Sequence, residues 1–342
     1  VKAVVLVGGE GTRLRPLTYA TPKQMLPIVG TPMLERVVAH LATHGVSEVI
    51  LSLGYLPDRF VEAYPSFLIA GVPVAYAVEP EPLDTAGAIR FAAQHGGVTS
   101  TFIVVNGDVL TDLDVTALIA FHRDRGAAAT IALHPVPDPS RFGVVPTDEA
   151  GRVLAFVEKP PRDEAPTNEI NAGTYVLEPG VLELIAPDER VSVERVTFPA
   201  LAQAGMLYAL ADSGYWLDTG TPEAYLRAHA DIISGVRPVA LDPPARGGSW
   251  VHREAVVDPS ARLVGATVDR GCRVAAGASV VDSVLLPGAE VGADASVRGC
   301  ILGPGSVVGA AAVLGPICVI GAHERVEPGS RLEGDIRIGG PR

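Results

Sequence analysis

Residues 286–321 read LPGAEVGADASVRGCILGPGSVVGAAAVLGPICVIG. Aliphatic residues recur there at Leu286, Val291, Val297, Leu302, Val308, Leu314 and Ile320, in steps of five or six. Glycine often follows directly, as in Val291-Gly292, Leu302-Gly303 and Leu314-Gly315. The series extends backwards through Val280, Val274, Val268 and Leu263 to Val257, and forwards to Val326 and Leu332. This hexapeptide rhythm predicts a parallel β-helix, in which each aliphatic points inward and stacks on its equivalent in the next coil. A β-sandwich would show period-two alternation instead. The β-helix is therefore expected over 250–342, preceded by a linker at 236–249 rich in glycine and proline.

Upstream, residues 1–235 alternate short β-branched runs with helical stretches. Val4–Val7, Val49–Leu53, Val74–Val78 and Phe102–Val105 read as strands, and Met33–His44, Ala86–Gln94 and Val115–Arg125 as helices. Thr31-Pro32 offers an N-cap and first helical residue for the first of these. Such alternation predicts an α/β domain, a mostly parallel Rossmann-like sheet with helices on both faces. Ligands of such sheets bind beyond the carboxyl ends of the strands, just after Val7, Val78 and Val105.

Bulk properties narrow the functional classes. The formal net charge is -12, with no clustered Lys/Arg footprint, which argues against nucleic acid as partner. The opening apolar run is too short for a signal peptide and no run approaches a membrane span, so the expectation is a cytoplasmic protein without membrane partners. Cys272, Cys300 and Cys318 are too scattered for a disulfide framework or metal site and read as buried apolar residues.

The chemistry starts after the first strand, at Gly8-Gly9-Glu10-Gly11-Thr12-Arg13-Leu14-Arg15-Pro16. Glycines let backbone N–H groups approach a polyphosphate, and Arg13, Arg15 and Lys23 supply cations for its oxygens. The stretch is not a Walker A loop, since no Gly-Lys-Ser/Thr follows, and the dinucleotide spacing fails too.

Gly8-Gly9-x-Gly11-Thr12-Arg13-Leu14 together with Pro22-Lys23-x-x-Leu26-Pro27 resembles the sugar nucleotidyltransferase (NDP-sugar pyrophosphorylase) family. Glu81-Pro82-Leu83-x-Thr85-Ala86-Gly87, Asn106-Gly107-Asp108, Phe142-Gly143-Val144-Val145, Glu158-Lys159-Pro160, Asn171-Ala172-Gly173 and Tyr215-Trp216-x-Asp218-x-Gly220 follow in family order. The resemblance implies that a sugar 1-phosphate oxygen attacks the α-phosphorus of a nucleoside triphosphate and pyrophosphate leaves. It implies a C-terminal β-helix that is left-handed. It assigns Arg13 to the triphosphate, Lys23 to the phosphates, and Asp108 and Asp218 to Mg²⁺. Leu6, Gly8, Gly9, Gly11, Thr12, Glu79, Asp84, Thr85 and Gly107 would line the nucleotide. Gly143, Glu158, Lys159, Asn171 and Asp218 would hold the sugar phosphate.

Singly, Asp108, Asp218 and Lys159 would read as turn or surface residues; their joint order reverses that. Trp216 reads as packing, and His44, His122 and His229 as structural or surface residues.

Glu79 falls where the family places a base-reading side chain. An acceptor-only carboxylate suits the adjacent N1–H and N2–H₂ donors of guanine, so GTP is favoured; the resemblance implies mannose 1-phosphate as the acceptor. dTTP, UTP or ATP with glucose 1-phosphate would need only small pocket changes. Asp84 departs from the family, which has glycine there; it would contact base or ribose, or cap the following helix through Ala86. Two other classes compete, an acyltransferase built on the β-helix and a non-catalytic nucleotide-sugar-binding homologue. The β-helix itself predicts a homo-oligomer, dimer or tetramer.

Overall fold

The computed structural model describes residues 1–341; Arg342, the last residue of the expected β-helix segment, lies outside them. The chain forms two compact units. One contains Val1–Gly9 and Leu34–Trp216, the other Glu10–Met33 and the chain from Leu217 onward. Packing thus groups Glu10–Met33, the loop beyond Gly8-Gly9, with the C-terminal coils, a grouping that chain order at 235/236 does not convey.

The first unit carries strand β1 (Lys2–Leu6), helix α1 (Met33–Thr43), β2 (Glu48–Leu53), β3 (Val72–Val78), α2 (Asp84–His95) and β4 (Phe102–Asn106). Then follow α3 (Val115–Arg125), β5 (Ala129–Pro135), β6 (Glu169–Leu177) and β7 (Leu207–Ala211). β4, β1, β2 and β3 lie side by side and parallel. β6 runs antiparallel to both β4 and β5, and β7 joins β5 in parallel. Helix-covered strands are buried on both faces, which is why their runs are continuously apolar. Val4, Ile50, Phe102, Val104, Ile131 and Tyr175 form one core. Asp114 caps α3, its carboxylate accepting from Ala117 N at 2.9 Å.

From β1 the chain moves to β2 and β3 on one side, then returns to place β4 on the other. The strand order therefore reverses at β1, and the crevice beyond the carboxyl ends of β1 and β4 is the position such sheets use for ligands.

Thr31-Pro32 does not cap α1. The pair forms a short antiparallel strand against Pro27–Ile28, and the helix begins at Met33. A left-handed Val29-Gly30 turn, φ 47° and 73°, folds the chain back and fixes these residues as extended.

In the second unit, short strands stack into three all-parallel sheets, consistent with a left-handed β-helix. Val268 pairs with Leu285 and Leu285 with Leu302, seventeen residues apart each time (268, 285, 302). The inward residue of that coil is thus Leu285, not Leu286; both are fully buried, but Leu285 lies in the coil core with Val268 and Leu302. With this register the five-residue steps all fall at the same corner, 263 to 268, 280 to 285 and 297 to 302. Gly265, Asp282 and Gly299 turn that corner at φ 59°, 47° and 60°. The next coil is longer by a residue, Leu302 pairing with Ile320, and β-branched Ile317 occupies the left-handed corner at φ 61°.

The outward column of one sheet is also buried. Trp250, Thr267, Val284, Ile301 and Val319 stand in register beside the inward row, none more than 2% exposed. Segments of the same unit cover it. Gly30 lies on the Trp250 ring, where a Cβ would approach to 2.6 Å. His229, on α4 (Pro222–Ile233), bonds Thr267 Oγ1 at 2.9 Å and Val29 N at 3.3 Å.

Candidate active site

The ends of β1 and β4 meet without side chains between them. Gly107 N donates to Leu6 O at 3.0 Å, and a Cβ on Gly107 would lie 2.6 Å from a Val7 methyl. Gly8 lies against Gly54, where a Cβ would come 3.3 Å from Gly54 N and 3.5 Å from Glu79 Oε1. Glycine is required at 107 because backbone passes over backbone, and the next residue on this bare rim is Asp108.

Glu79, just past β3, has its carboxylate fixed. Ser52 Oγ donates to Oε1 at 2.9 Å and Leu83 N to Oε2 at 3.1 Å. Each oxygen has a further lone pair, so Glu79 keeps acceptor capacity beside Gly8. Asp84 adopts φ 59°, the left-handed region that explains why glycine is the family norm there. Its carboxylate accepts from Thr85 N at 2.7 Å, while Ala86 N donates to Val191 O. Capping through Ala86 is thus replaced by a bond one residue earlier. The Thr85 hydroxyl donates to Glu194 Oε2 at 2.7 Å and accepts from Val193 N at 2.8 Å, so this side chain holds the protein together locally.

On the expected sugar side, Gly143 pairs with Glu158 across an antiparallel bridge. A Cβ on Gly143 would strike the Phe156 ring at 2.5 Å and approach Glu158 Oε2 at 3.1 Å. Lys159, at φ 50°, reaches Glu158 Oε1 at 3.0 Å with its side chain 60% exposed. Asn171 donates to Tyr175 OH at 2.9 Å and accepts from Gly173 N at 2.9 Å. Burial, then the Glu194 charge, drives the Tyr175 hydroxyl well above its ordinary range; Glu158 and Asp108 add to this and the Asn171 bond opposes it. Tyr175 is therefore held neutral. Trp216 packs between His134 and Phe142 and donates to Ala172 O at 2.9 Å.

The second unit holds the loop cations. Gly11, at φ 62°, starts a single turn over Thr12–Leu14. Thr18 Oγ1 and Leu14 N both donate to Gly11 O, at 2.8 and 2.9 Å. The Lys23 side chain packs behind Gly11, 3.1 Å from where a Cβ would stand. Arg13 lies on Gly220, whose added Cβ would meet its Nη2 at 2.8 Å; Gly220 N in turn donates to Asp218 Oδ1 at 2.8 Å. Arg13, Lys23 and Asp218 thus belong to one packed unit despite their spacing in sequence. Arg15 pairs with Glu10 at 2.6 Å and covers the Tyr19 ring.

Sequence reasoning missed Ser52, a buried polar residue interrupting the apolar run of β2, which was the available signal for the Glu79 bond. No three-residue metal cluster exists among the described residues. Asp108, on the rim of the first unit, and Asp218, in the second, each carry a carboxylate of the kind Mg²⁺ takes together with substrate phosphates. No helix of the described residues is long and apolar enough to cross a membrane.

Sheet topology and the bare rim at Gly107 are those of an α/β enzyme with its ligand crevice beyond the strand ends. The chain belongs to the nucleotidyl transferase family, matched over residues 2–235, and residues 245–338 match the GMPPB C-terminal domain. It is 44% identical to mannose-1-phosphate guanylyltransferase of Mycobacterium tuberculosis over 281 residues, 81% of this chain and 77% of that protein. It is 37% identical to the mannose-1-phosphate guanylyltransferase catalytic subunit beta of Drosophila pseudoobscura pseudoobscura, across 80% of this chain and 72% of that one. Among solved structures, HddC from Yersinia pseudotuberculosis complexed with GMP-PN superposes with a TM-score of 0.58 at 34% identity, covering 67% of this chain and 97% of that one.

Proposed function

We propose that the enzyme joins GTP and mannose 1-phosphate to give GDP-mannose and pyrophosphate, with Mg²⁺. The observation that carries the reading is the bare rim where β1 and β4 end, with Asp108 immediately beyond it. The names of the guanylyltransferase relatives and the GMP-PN complex of HddC support the substrate pair.

No protein nucleophile is needed, so catalysis is positioning and charge neutralisation. A phosphate oxygen of mannose 1-phosphate forms a bond to the α-phosphorus, and the bond from that phosphorus to the bridging oxygen of pyrophosphate breaks. Gly8, Gly9, Gly11 and Thr12 let the chain approach the triphosphate, with Leu6 and Gly107 forming the floor. Arg13, seated on Gly220, neutralises charge on the departing pyrophosphate. Lys23 faces the α-phosphate, and Lys159, partnered by Glu158, draws in the sugar phosphate. Gly143 and Asn171 bound the sugar. Asp108 and Asp218 would hold Mg²⁺, which would supply positive charge to the phosphate oxygens as the bond order shifts. Glu79, oriented by Ser52 and Leu83 N, accepts from the guanine donors.

The test is pyrophosphate release across GTP, dTTP, UTP and ATP, each with mannose and glucose 1-phosphates and Mg²⁺. Turnover centred on GTP with mannose 1-phosphate supports the reading; preference for another pair overturns the substrate assignment, and no turnover overturns the enzyme assignment. Cytoplasmic residence accords with buried cysteines that form no disulfide. We also expect a homo-oligomer, which a monomeric mass by light scattering would refute.

A further inference from the structure

Arg337 stands at the last position of the buried outward column, paired in register with Val319. Its Nη1 donates to both Arg13 O and Arg15 O, at 3.0 Å each. Asp335 Oδ1 accepts from its Nε at 2.6 Å, which sets the direction of the guanidinium. Beside it, Pro16 rests on the last coils, since a Cβ on Gly321 or Gly339 would come within 3.2 or 3.1 Å of that ring. Gly11 O and Thr12 O are already engaged, by Thr18, Leu14 and Arg15. Carbonyls at 11, 12, 13 and 15 therefore all have donors, and the final two come from a residue more than three hundred positions away.

The geometry points to Arg337 as a positioning residue for nucleotidyl transfer. It fixes the Arg13–Leu14 and Arg15–Pro16 peptide planes and thereby keeps the Arg13 guanidinium on its seat at Gly220. This rests on the reaction proposed above. Without Arg337 the two carbonyls turn to water, Leu14 and Pro16 stay packed, and Arg13 samples its seat less often. The loss falls on the triphosphate, because the group displaced is Arg13, the residue assigned to it.

The experiment compares Arg337→Ala, Arg337→Lys and Asp335→Asn in the full chain. Two readouts are taken, steady-state pyrophosphate release with each substrate varied, and tryptic cleavage of the Arg13–Leu14 bond without substrates. Arg337→Ala should lower kcat/KM for the triphosphate about tenfold and speed the cut at Arg13 by a similar factor, the scale expected for two hydrogen bonds from a charged donor to a loop. KM for the sugar phosphate should stay within about twofold and the thermal midpoint should hold, because no apolar contact is removed. Arg337→Lys should fall between, and Asp335→Asn should move both readouts in the same direction by less. Unchanged kcat/KM with faster cleavage overturns the positioning role, as does an equal loss for both substrates that tracks lost folded protein. If the wild-type enzyme turns over no substrate pair, the reaction assignment fails separately, and an unchanged cut at Arg13 in Arg337→Ala then overturns the loop contact as well.

Discussion

Replacing Gly107 by alanine tests whether the bare rim matters for catalysis. The added methyl would sit 2.6 Å from the Val7 side chain, 3.0 Å from Leu6 O and 3.2 Å from the Val5 side chain. Val5 and Val7 are fully buried, so neither can swing aside. An ordinary carbon–carbon contact is about 3.5–4.0 Å, so β4 must draw away from β1 by several tenths of an ångström or more. Overpacking of this kind costs about 1–3 kcal/mol. The same shift carries Asp108, the next residue, off its place; a displacement near 1 Å costs about a hundredfold in rate, so a loss of at least about tenfold in kcat is expected. Urea unfolding gives the first quantity and pyrophosphate release at saturating substrates the second. Gly180→Ala is the control, since nothing stands within 4 Å of a Cβ there and its φ is not positive. If Gly107→Ala keeps both wild-type stability and wild-type kcat, the rim does not position Asp108 and the reasoning fails.

Asp84→Gly removes a left-handed L residue whose side chain bonds only the next amide; the gain from φ 59° and the entropy cost of glycine nearly offset, so stability should rise by at most about 1 kcal/mol. A change in the GTP-to-dTTP preference of that variant would show Asp84 reaching the base or ribose. Asp108→Asn should abolish Mg²⁺-dependent turnover while urea unfolding stays within about 1 kcal/mol of wild type, because the change is isosteric; near-native activity would remove the metal assignment. Burial holds the His122 imidazole below its usual pKa, against the smaller opposing pull of Glu178. The unfolded chain therefore binds the extra proton first, and stability should fall as pH drops from about 6.5 toward the folded value and then level off. His122→Gln should flatten that slope in urea titrations; an unaltered slope would refute it. The Cys272 and Cys300 thiols are pushed up to about 12 by burial, so a thiol reagent should label neither in the folded protein and both after unfolding.

The coils were legible because an inward aliphatic every five or six residues has few other uses. The slip at Leu286 arose because Leu285 and Leu286 are both apolar and both buried, and only strand register separates them. Gly8, Gly11, Gly107 and Gly143 stand where an added Cβ would meet close neighbours, the crowding that a glycine in sequence marks. The bonds of Thr85 to Glu194 and of Asn171 to Tyr175 were not legible, since a hydroxyl or amide looks the same in sequence whether it faces a ligand or a neighbouring side chain. Thr31-Pro32 carries cap chemistry, but the turn at Val29-Gly30 overrides it. Arg337 left no local trace, because its partners lie at the opposite end of the chain.

The buried outward column also restricts how copies of the chain can assemble. A three-sided prism normally offers three equivalent sides to a neighbour, but here the side bearing Trp250, Thr267, Val284, Ile301 and Val319 is already sealed from within. Only two sides are left for a symmetric partner. One presents Val256, Arg273, Glu290, Val307 and Arg325; the other presents Arg262, Ser279, Ser296, Val313 and Arg331. An assembly through either side would join ionic to apolar contacts, and the part of it that salt dissociates would report the ionic share.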